Sequence, residues 1–411
     1  MTASLTAVRS ALDIPDLPDR ARMYRESGAR LRAAMADNDV DALILLGNGN
    51  VVYATGASWP LLDAGLSHVE RPVAVVLADD EHPHLFMPFR EGAVSESEIP
   101  PDHLHPPLYL EFDEGVEHFA SVVADLIPSG ATVAVDELTG SMRRMADRLF
   151  PNGTPVDAAP VVGAAKLVKT ADQISCIRRA CRITDEAAVD VQKALAPGVR
   201  QIDLSAQFVR SAFELGATAS MLEPIWQVMP ETKAEGTWTT HGDLALPLLT
   251  TERELAKGDV LWTDVSITYT GFCSDFGRTW LVGETPTSRQ QDQFRQWRHI
   301  LDAVLKVTKA GASAGDLARA AIAANGGQKP WLPHFYLGHG IGTNAAEMPM
   351  IGTDLGQEFD DNFVFPAGMV LVLEPVVWED GTGGYRSEEI VVITEDGHVP
   401  LTNYPYAPYG D

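Results

Sequence analysis

Cysteine is scarce: the chain of 411 residues has three, Cys176, Cys181 and Cys273. None forms a Cys-x-x-Cys pair and the count is odd, so no disulfide framework is read. A reducing, cytoplasmic setting is expected. Basic residues are also short, with 31 Lys and Arg against 57 Asp and Glu and a formal net charge of −26. A chain of that sign repels phosphate backbones, which argues against a nucleic-acid partner. No stretch approaches ~18 consecutive apolar residues, so no membrane-spanning helix is expected. The segment Met1–Asp16 lacks a basic start followed by a long apolar run, and no secretory signal is read there.

What remains is ordinary globular composition, 45% hydrophobic and 21% charged. Single cores stop growing at roughly 250–300 residues, so two domains are expected. Short apolar runs at Asp41–Leu46, Pro72–Ala78 and Thr132–Asp136 have the length of buried strands. An Arg-rich amphipathic helix over 18–38 and a helical pattern over 116–127 alternate with them. That alternation predicts an α/β domain over 1–160. From 161 to 411 the pattern changes. Ile174, Ile177, Ala180, Ile183, Ala187 and Val191 recur every three or four residues, predicting a long helix over 170–195. Thr170 and Gln173 form its N-cap pair, and Pro197-Gly198 stops it. Helices over 201–215 and 287–309 and β segments over 259–268, 272–282, 369–378 and 385–394 make this second domain α+β.

Two β pairs carry acidic residues where apolar ones would be ordinary. A two-residue turn at Tyr269-Thr270 would set Asp264 directly opposite Asp275 on one face, with Cβ atoms ~4.5–5.5 Å apart. That separation suits two carboxylates gripping metals ~3.5–4 Å apart. A hairpin centred on Gly381 sets Glu374 opposite Glu388. Glu374 follows Val370-Leu371-Val372-Leu373, and burying it without a partner would cost several kcal/mol. His339, in Gly338-His339-Gly340-Ile341-Gly342, is the fifth candidate ligand; its flanking glycines let backbone approach a ligand closely. One imidazole with four carboxylates favours Mn, Fe, Co or Zn.

The order of these residues closely resembles the pita-bread metallohydrolases, the family of methionine aminopeptidase, aminopeptidase P, prolidase and creatinase. The resemblance is carried by Gly271–Asp275, Arg278-Thr279, Gly338–Gly342, Pro366–Val370, Leu373-Glu374-Pro375 and Arg386-x-Glu388, and upstream by Asn50–Gly56 and Lys169–Ala180. It implies a creatinase-like α/β N-terminal domain ahead of a pita-bread catalytic domain, and usually a homodimer. It also implies two divalent ions, held by Asp264, Asp275, His339, Glu374 and Glu388. The implied activity is hydrolysis of an amide or peptide bond in a small substrate, of the Xaa-Pro dipeptidase or aminopeptidase kind. Metal-activated water would attack the carbonyl, and Glu374 would pass the proton to the leaving nitrogen.

The sequence departs from the family's peptidases at two helper histidines. The one after Gly-His-Gly is replaced by Ala346, and the upstream one falls at Pro247. His241 could return to the site from an inserted loop, or be a loop residue. His334 resembles a histidine that precedes Gly-His-Gly in prolidases, shifted by one position, with a surface role as the alternative. Arg386 could bind a substrate carboxylate or form a salt bridge in its strand. Trp238 and Trp331 could wall the pocket, or be plain core. Two rival functions stand beside the hydrolase. One is a metal-dependent lyase on a small zwitterion, similar to the dimethylsulfoniopropionate lyase branch. That branch has an Asp where this chain has Trp262 and an acidic base near Ala346. The other is a binding protein on a peptidase scaffold.

Overall fold

A computed structural model describes residues 14–57, 71–87, 98–151, 153–221, 224–229 and 251–410. The chain divides into a unit of Pro15–Gln173 and one that begins at Ile174.

The first unit is built on a mixed sheet. Its strands are β1 (Ala42–Leu45), β2 (Val73–Leu77), β3 (His84–Phe86), β4 (Leu104–His105), β5 (Val133–Val135) and β6 (Val156–Asp157), in the order β4-β3-β2-β1-β5-β6. The central strands β1 and β2 read as unbroken apolar runs because both faces are covered. Leu43, Leu45, Ala74, Val76 and Leu85 share one face with residues of helices α1 (Arg20–Asp37), α2 (Asn48–Thr55) and α4 (Ala159–Leu167). Ala42, Ile44, Val73, Val75 and Phe86 pack on the other, against Val116, Phe119 and Val123 of α3 (Asp113–Leu126). Each fully buried Leu, Ile, Val or Phe among them contributes roughly 1.5–3 kcal/mol. The three strands and two helices expected here all form, within a few residues of their expected limits.

Helix α5 (Ala171–Ala194) is the long helix expected over 170–195. Its start is held as the sequence predicts: Gln173 N–H donates to Thr170 Oγ1 at 3.2 Å, and Thr170 N–H to Gln173 Oε1 at 2.9 Å. Ala180, Ile183, Ala187 and Val191 face a core shared with Leu204 and Phe208 of α6 (Gln201–Glu214), and with Trp226 and Trp280. Among the described residues, no helix is long and apolar enough to cross a membrane.

Three sheets of this second unit support the acidic residues. Strands β7 (Ala219–Ser220), β10 (Ile267–Tyr269) and β11 (Phe272–Cys273) form one. Strands β8 (Ile225–Val228), β9 (Val260–Asp264) and β12 (Thr279–Leu281) form the next. The third has the order β14 (Glu347–Ile351), β13 (Gly338–Gly340), β15 (Val370–Leu373), β18 (Glu389–Ile393), β19 (His398–Pro400). A two-stranded ribbon of β16 (Val376–Glu379) and β17 (Gly383–Arg386) continues from it. Helices α7 (Ser288–Val307) and α8 (Ala314–Ala324) complete the unit's long elements.

One register differs from expectation. Tyr269 pairs with Phe272, and Val265 bridges Phe276, so the turn is Thr270-Gly271 rather than Tyr269-Thr270. Both turn residues have positive φ, 52° and 79°. A two-residue hairpin that follows the strands' twist needs this at both central positions, which favours glycine second. Asp264 is therefore not directly opposite Asp275. The pair lie two positions apart on the ladder, which keeps their side chains on one face because side chains alternate with period two.

The second ladder agrees with the sequence. Leu373 pairs with Glu389 and Val376 with Arg386, so the same register on both sides sets Glu374 opposite Glu388.

Candidate metal centre

Four backbone elements bring the acidic groups together. Asp264 ends β9, and Asp275 follows β11 with Oδ1 accepting from the N–H of Phe276 at 3.1 Å. Glu374 directly follows β15, its N–H bonded to the carbonyl of Leu337 at 2.9 Å. Glu388 begins the approach to β18, its N–H bonded to the carbonyl of Gly277 at 3.1 Å. His339 is the middle residue of β13, between β14 and β15. All five side chains are buried.

One oxygen each from Asp264, Asp275 and Glu388 lie within 4.8 Å of one another. Nε2 of His339 is 3.4 Å from both Asp275 Oδ2 and Glu374 Oε1. Donor atoms at about 2.0–2.2 Å from a shared ion stand at comparable spacings. Nδ1 of His339 faces the carbonyl of Gly340 at 2.9 Å, which takes up that nitrogen and leaves Nε2 for ligation. The structure thus brings together all five residues the sequence singled out as ligands.

The electrostatics fit a cation. Burial, joined by the charge of Asp275, pushes the Glu388 carboxyl well above its usual range despite Arg386. Burial also lifts Asp264, up to about 7, with Arg386 opposing and Asp275 and Glu374 adding to the rise. Glu374 stays below its usual range although buried, because Arg386 and His339 lie beside it. Burial alone would lower the imidazolium of His339, but its contacts with Asp275 and Glu374 raise it well above normal. Neither carboxylate oxygen of Glu388 has a hydrogen-bond partner among the described residues. Arg386 Nη2 stands 3.6 Å from Oε2, beyond hydrogen-bond reach, and ionising a buried carboxyl so placed costs several kcal/mol, a cost that divalent ions would offset.

Two further residues shape the cluster. Gly277 leaves room for Glu388: a Cβ there would stand 2.2 Å from Glu388 Oε1. Arg278 is fully buried and donates to the carbonyls of Gly277, Glu388 and Tyr404 and to Glu389 Oε1. It clamps the two ribbons from behind, a role that its place beside Thr279 in the sequence does not reveal.

The remaining candidates separate. Arg386 takes the salt-bridge reading: Nη2 lies 3.0 Å from Asp264 Oδ2 and 2.6 Å from Glu374 Oε2, with the guanidinium over the Trp262 ring. His334 has a side chain 87% exposed and pairs with Asp354, so it is a surface group that does not reach the carboxylates. Trp331 is buried against the backbone of Gly352 under Lys329, as core. Trp238 and His241 lie outside the described residues. Ala346 is exposed on the loop before β14, a loop held by Glu347 Oε1 accepting from the N–H groups of Thr343 and Asn344. The glycines beside His339 serve packing rather than ligand approach. A Cβ at Gly338 would meet the carbonyl of Val372 at 2.3 Å, and one at Gly340 that of Met348 at 2.4 Å.

Tyr336 is a site residue that the sequence did not flag. Its ring meets that of His339 edge-on at 5.2 Å. Burial, with Glu374 and Asp275 close by, holds its phenol firmly protonated. A protonated phenol beside the cluster can donate a hydrogen bond to a ligand. Its position three residues before His339 was the available signal.

Comparison with known proteins agrees with this geometry. Residues 175–395, more than half of the chain, match the profile of metallopeptidase family M24. Residues 29–168 match that of the creatinase/prolidase N-terminal domain. A probable dipeptidase, PepE, of Mycobacterium tuberculosis is 29% identical over 257 residues, 61% of this chain and 63% of that protein. The Xaa-Pro dipeptidase of Pyrococcus furiosus is 26% identical over 244 residues, 59% of this chain and 65% of that one. The matched region therefore spans less than two thirds of these relatives' own length. In fold, the chain is similar to the prolidase of Pyrococcus horikoshii, with a TM-score of 0.71 at 22% identity over 93% of this chain and 99% of that one. It is also similar to an X-Pro aminopeptidase from Thermotoga maritima, with a TM-score of 0.72 at 21% identity over 92% and 98%. From the family match, which covers more than half of it, the chain belongs to metallopeptidase family M24, with a creatinase/prolidase-type domain ahead of the metallopeptidase one.

Proposed function

We propose that this chain is a metal-dependent hydrolase of a C–N bond in a small amide or dipeptide, of the Xaa-Pro peptidase kind. The observation that carries the reading is the convergence of Asp264, Asp275, His339, Glu374 and Glu388 in one buried cluster. Two ions, of Mn, Fe, Co or Zn, are the cofactors proposed. When bound they would supply Lewis acidity and the acidification of water. A homodimer in the cytoplasm completes the proposal, resting on the family resemblance and the cysteine usage.

The chain's own residues supply the rest. Glu374 is positioned to accept a proton from water at its carboxylate and return it to the leaving nitrogen. Arg386 fixes the direction of Asp264 and Glu374 and helps hold Glu374 ionised. The Tyr336 hydroxyl is the donor we assign to the substrate's carbonyl oxygen, in place of the histidine that Ala346 replaces. Such a donor acts where negative charge develops in the transition state.

The test is a metal-stripped protein reloaded with Mn, Fe, Co or Zn and offered Xaa-Pro dipeptides and small amides. Release of a free amine and carboxylate supports the reading. An alkene product with a sulfonium substrate would replace it with a lyase. Turnover unchanged in Asp275→Ala would overturn the metal mechanism.

A further inference from the structure

A second constellation of metal-ligating groups lies in the first unit, outside the residues that match family M24. Two His-x-His segments meet there: His82-Pro83-His84, leading into β3, and His103-Leu104-His105, ending in β4. The strands run parallel, with Leu85 opposite Leu104 and Phe86 opposite His105. That register sets His84 beside His103, and the two rings stack at 4.3 Å with 12° between their planes. The turn before β3 brings Asp80 against both.

The orientation of each ring is specific. Nε2 of His103 lies 3.1 Å from Asp80 Oδ2, and Nε2 of His84 lies 3.7 Å from the same oxygen. The opposite nitrogens are occupied. Nδ1 of His103 bonds Asp102 Oδ1 at 3.0 Å, and Nδ1 of His84 meets Nε2 of His105 at 3.0 Å. Asp80 is oriented in turn, its Oδ1 accepting from the N–H of His82 at 3.0 Å. Two imidazoles thus turn one nitrogen toward a common carboxylate, while outer groups fix the other nitrogen. Metal-bound histidines have this pattern, because the outer partner sets the tautomer and raises the basicity of the ligating nitrogen. One ligand atom each from Asp80, His84 and His103 lie within 4.8 Å of one another. The Asp80 side chain is 30% exposed, so an ion has a path in.

The geometry points to an accessory site for one borderline divalent ion, of the Zn, Co or Ni class, held by Asp80, His84 and His103. Two imidazoles and a carboxylate suit such ions better than Mg or Ca. Three protein ligands leave a further position for water or an exogenous ligand. Closing on the ion requires the two rings to turn out of their stack, until both lone pairs point at it.

The experiment uses the full chain, stripped of metal and titrated with Zn, with bound metal counted by elemental analysis. Wild type is compared with a His84→Ala/His103→Ala variant. Both are also made in a second background carrying Asp264→Asn and Asp275→Asn, where the M24 ligands are disabled. The expected result is one equivalent fewer in the histidine variant in either background. Asp102→Asn should weaken that equivalent at least about tenfold, the effect of losing an outer partner. Cobalt bound in the second background should show the visible absorption of a nitrogen-containing site. Equal metal content with and without His84 and His103 would overturn the proposal. If the double variant does not fold, His103→Gln carries the same comparison. Hydrolytic activity plays no part in the readout, so failure of the proposed peptidase function would leave this test intact.

Discussion

Gly277 and Glu388 fit together with no room to spare: the Cβ that glycine lacks would fall 2.2 Å from Glu388 Oε1 and 2.8 Å from Nη1 of Arg386. The backbone of Gly277 also accepts from the N–H of Glu388. Gly277→Ala must therefore push Glu388 and Arg386 aside. Overpacking of this kind costs about 1–3 kcal/mol. We expect bound metal to fall by at least half and thermal stability to drop, checked by elemental analysis and calorimetry on the same sample.

Removing metal should cost stability. Four buried carboxylates share the site with one guanidinium and one imidazole, and Glu388 is left without a hydrogen-bond donor among the described residues. An ion that binds only the folded state stabilises by about 2.7 kcal/mol at a hundred times its Kd. Adding Mn or Zn to stripped protein should raise the unfolding midpoint. Glu388→Gln removes a carboxyl that the stripped protein must protonate on folding, so the stripped variant should melt above stripped wild type and gain less from metal. Thermal unfolding with and without ion checks both.

If Tyr336 donates to the reacting carbonyl, Tyr336→Phe should lower kcat by about 100–1,000-fold, the usual loss for one transition-state donor. KM should move much less, and bound metal should stay at the wild-type level. Steady-state kinetics with metal analysis separates this from collapse of the cluster, which would lower metal content as well.

Arg278 should be intolerant of change. It is 1% exposed and satisfies three carbonyls and the Glu389 carboxylate. Arg278→Met leaves Glu389 buried beside an apolar side chain, a loss of about 3–5 kcal/mol. Urea unfolding should show the shift even in stripped protein, since the clamp is independent of the ions.

Asp185 gives a pH signature. Burial lifts its carboxyl to about 7, against the pull of Arg278 and of the Asn403 N–H. The folded protein keeps a proton that the unfolded chain releases near pH 4. Its contribution is therefore most favourable at low pH and is lost as the pH rises from about 4 to about 7, levelling off above. Asp185→Asn should remove that slope and stabilise at pH 8 by on the order of 1–3 kcal/mol. Unfolding of both proteins in chelator at pH 5 and pH 8 reads the difference.

How much was legible in advance depended on what carries the signal. Apolar periodicity located α5 and the strands of the first unit, because burial of a whole face leaves a pattern in the chain. The five candidate residues were legible as a set: a lone carboxylate after apolar residues, as at Glu374, can be an ion pair, but the order and spacing of all five point to one cluster. The register of Asp264 and Asp275 slipped because Gly271, placed beside the turn, takes its second position with a positive φ, while Tyr269 stays in the strand. The slip was harmless to the face, since the pairing moved by two positions. Side-chain direction was not legible at all. Nothing in the string of letters says that Tyr336 turns inward while His334, two residues earlier, points out to Asp354. Likewise the two His-x-His segments stand 19 residues apart between their nearest members, and only the parallel pairing of β3 with β4 unites them.

The strand that carries His339 has glycine on either side of it because its neighbours' carbonyls press against both positions. Attempts to retune metal preference by mutagenesis will find no freedom in that tripeptide: any substituent at its outer members forces three strands apart. Engineering of the site must work from the acidic ribbons, where a change of one side chain leaves the scaffold in place.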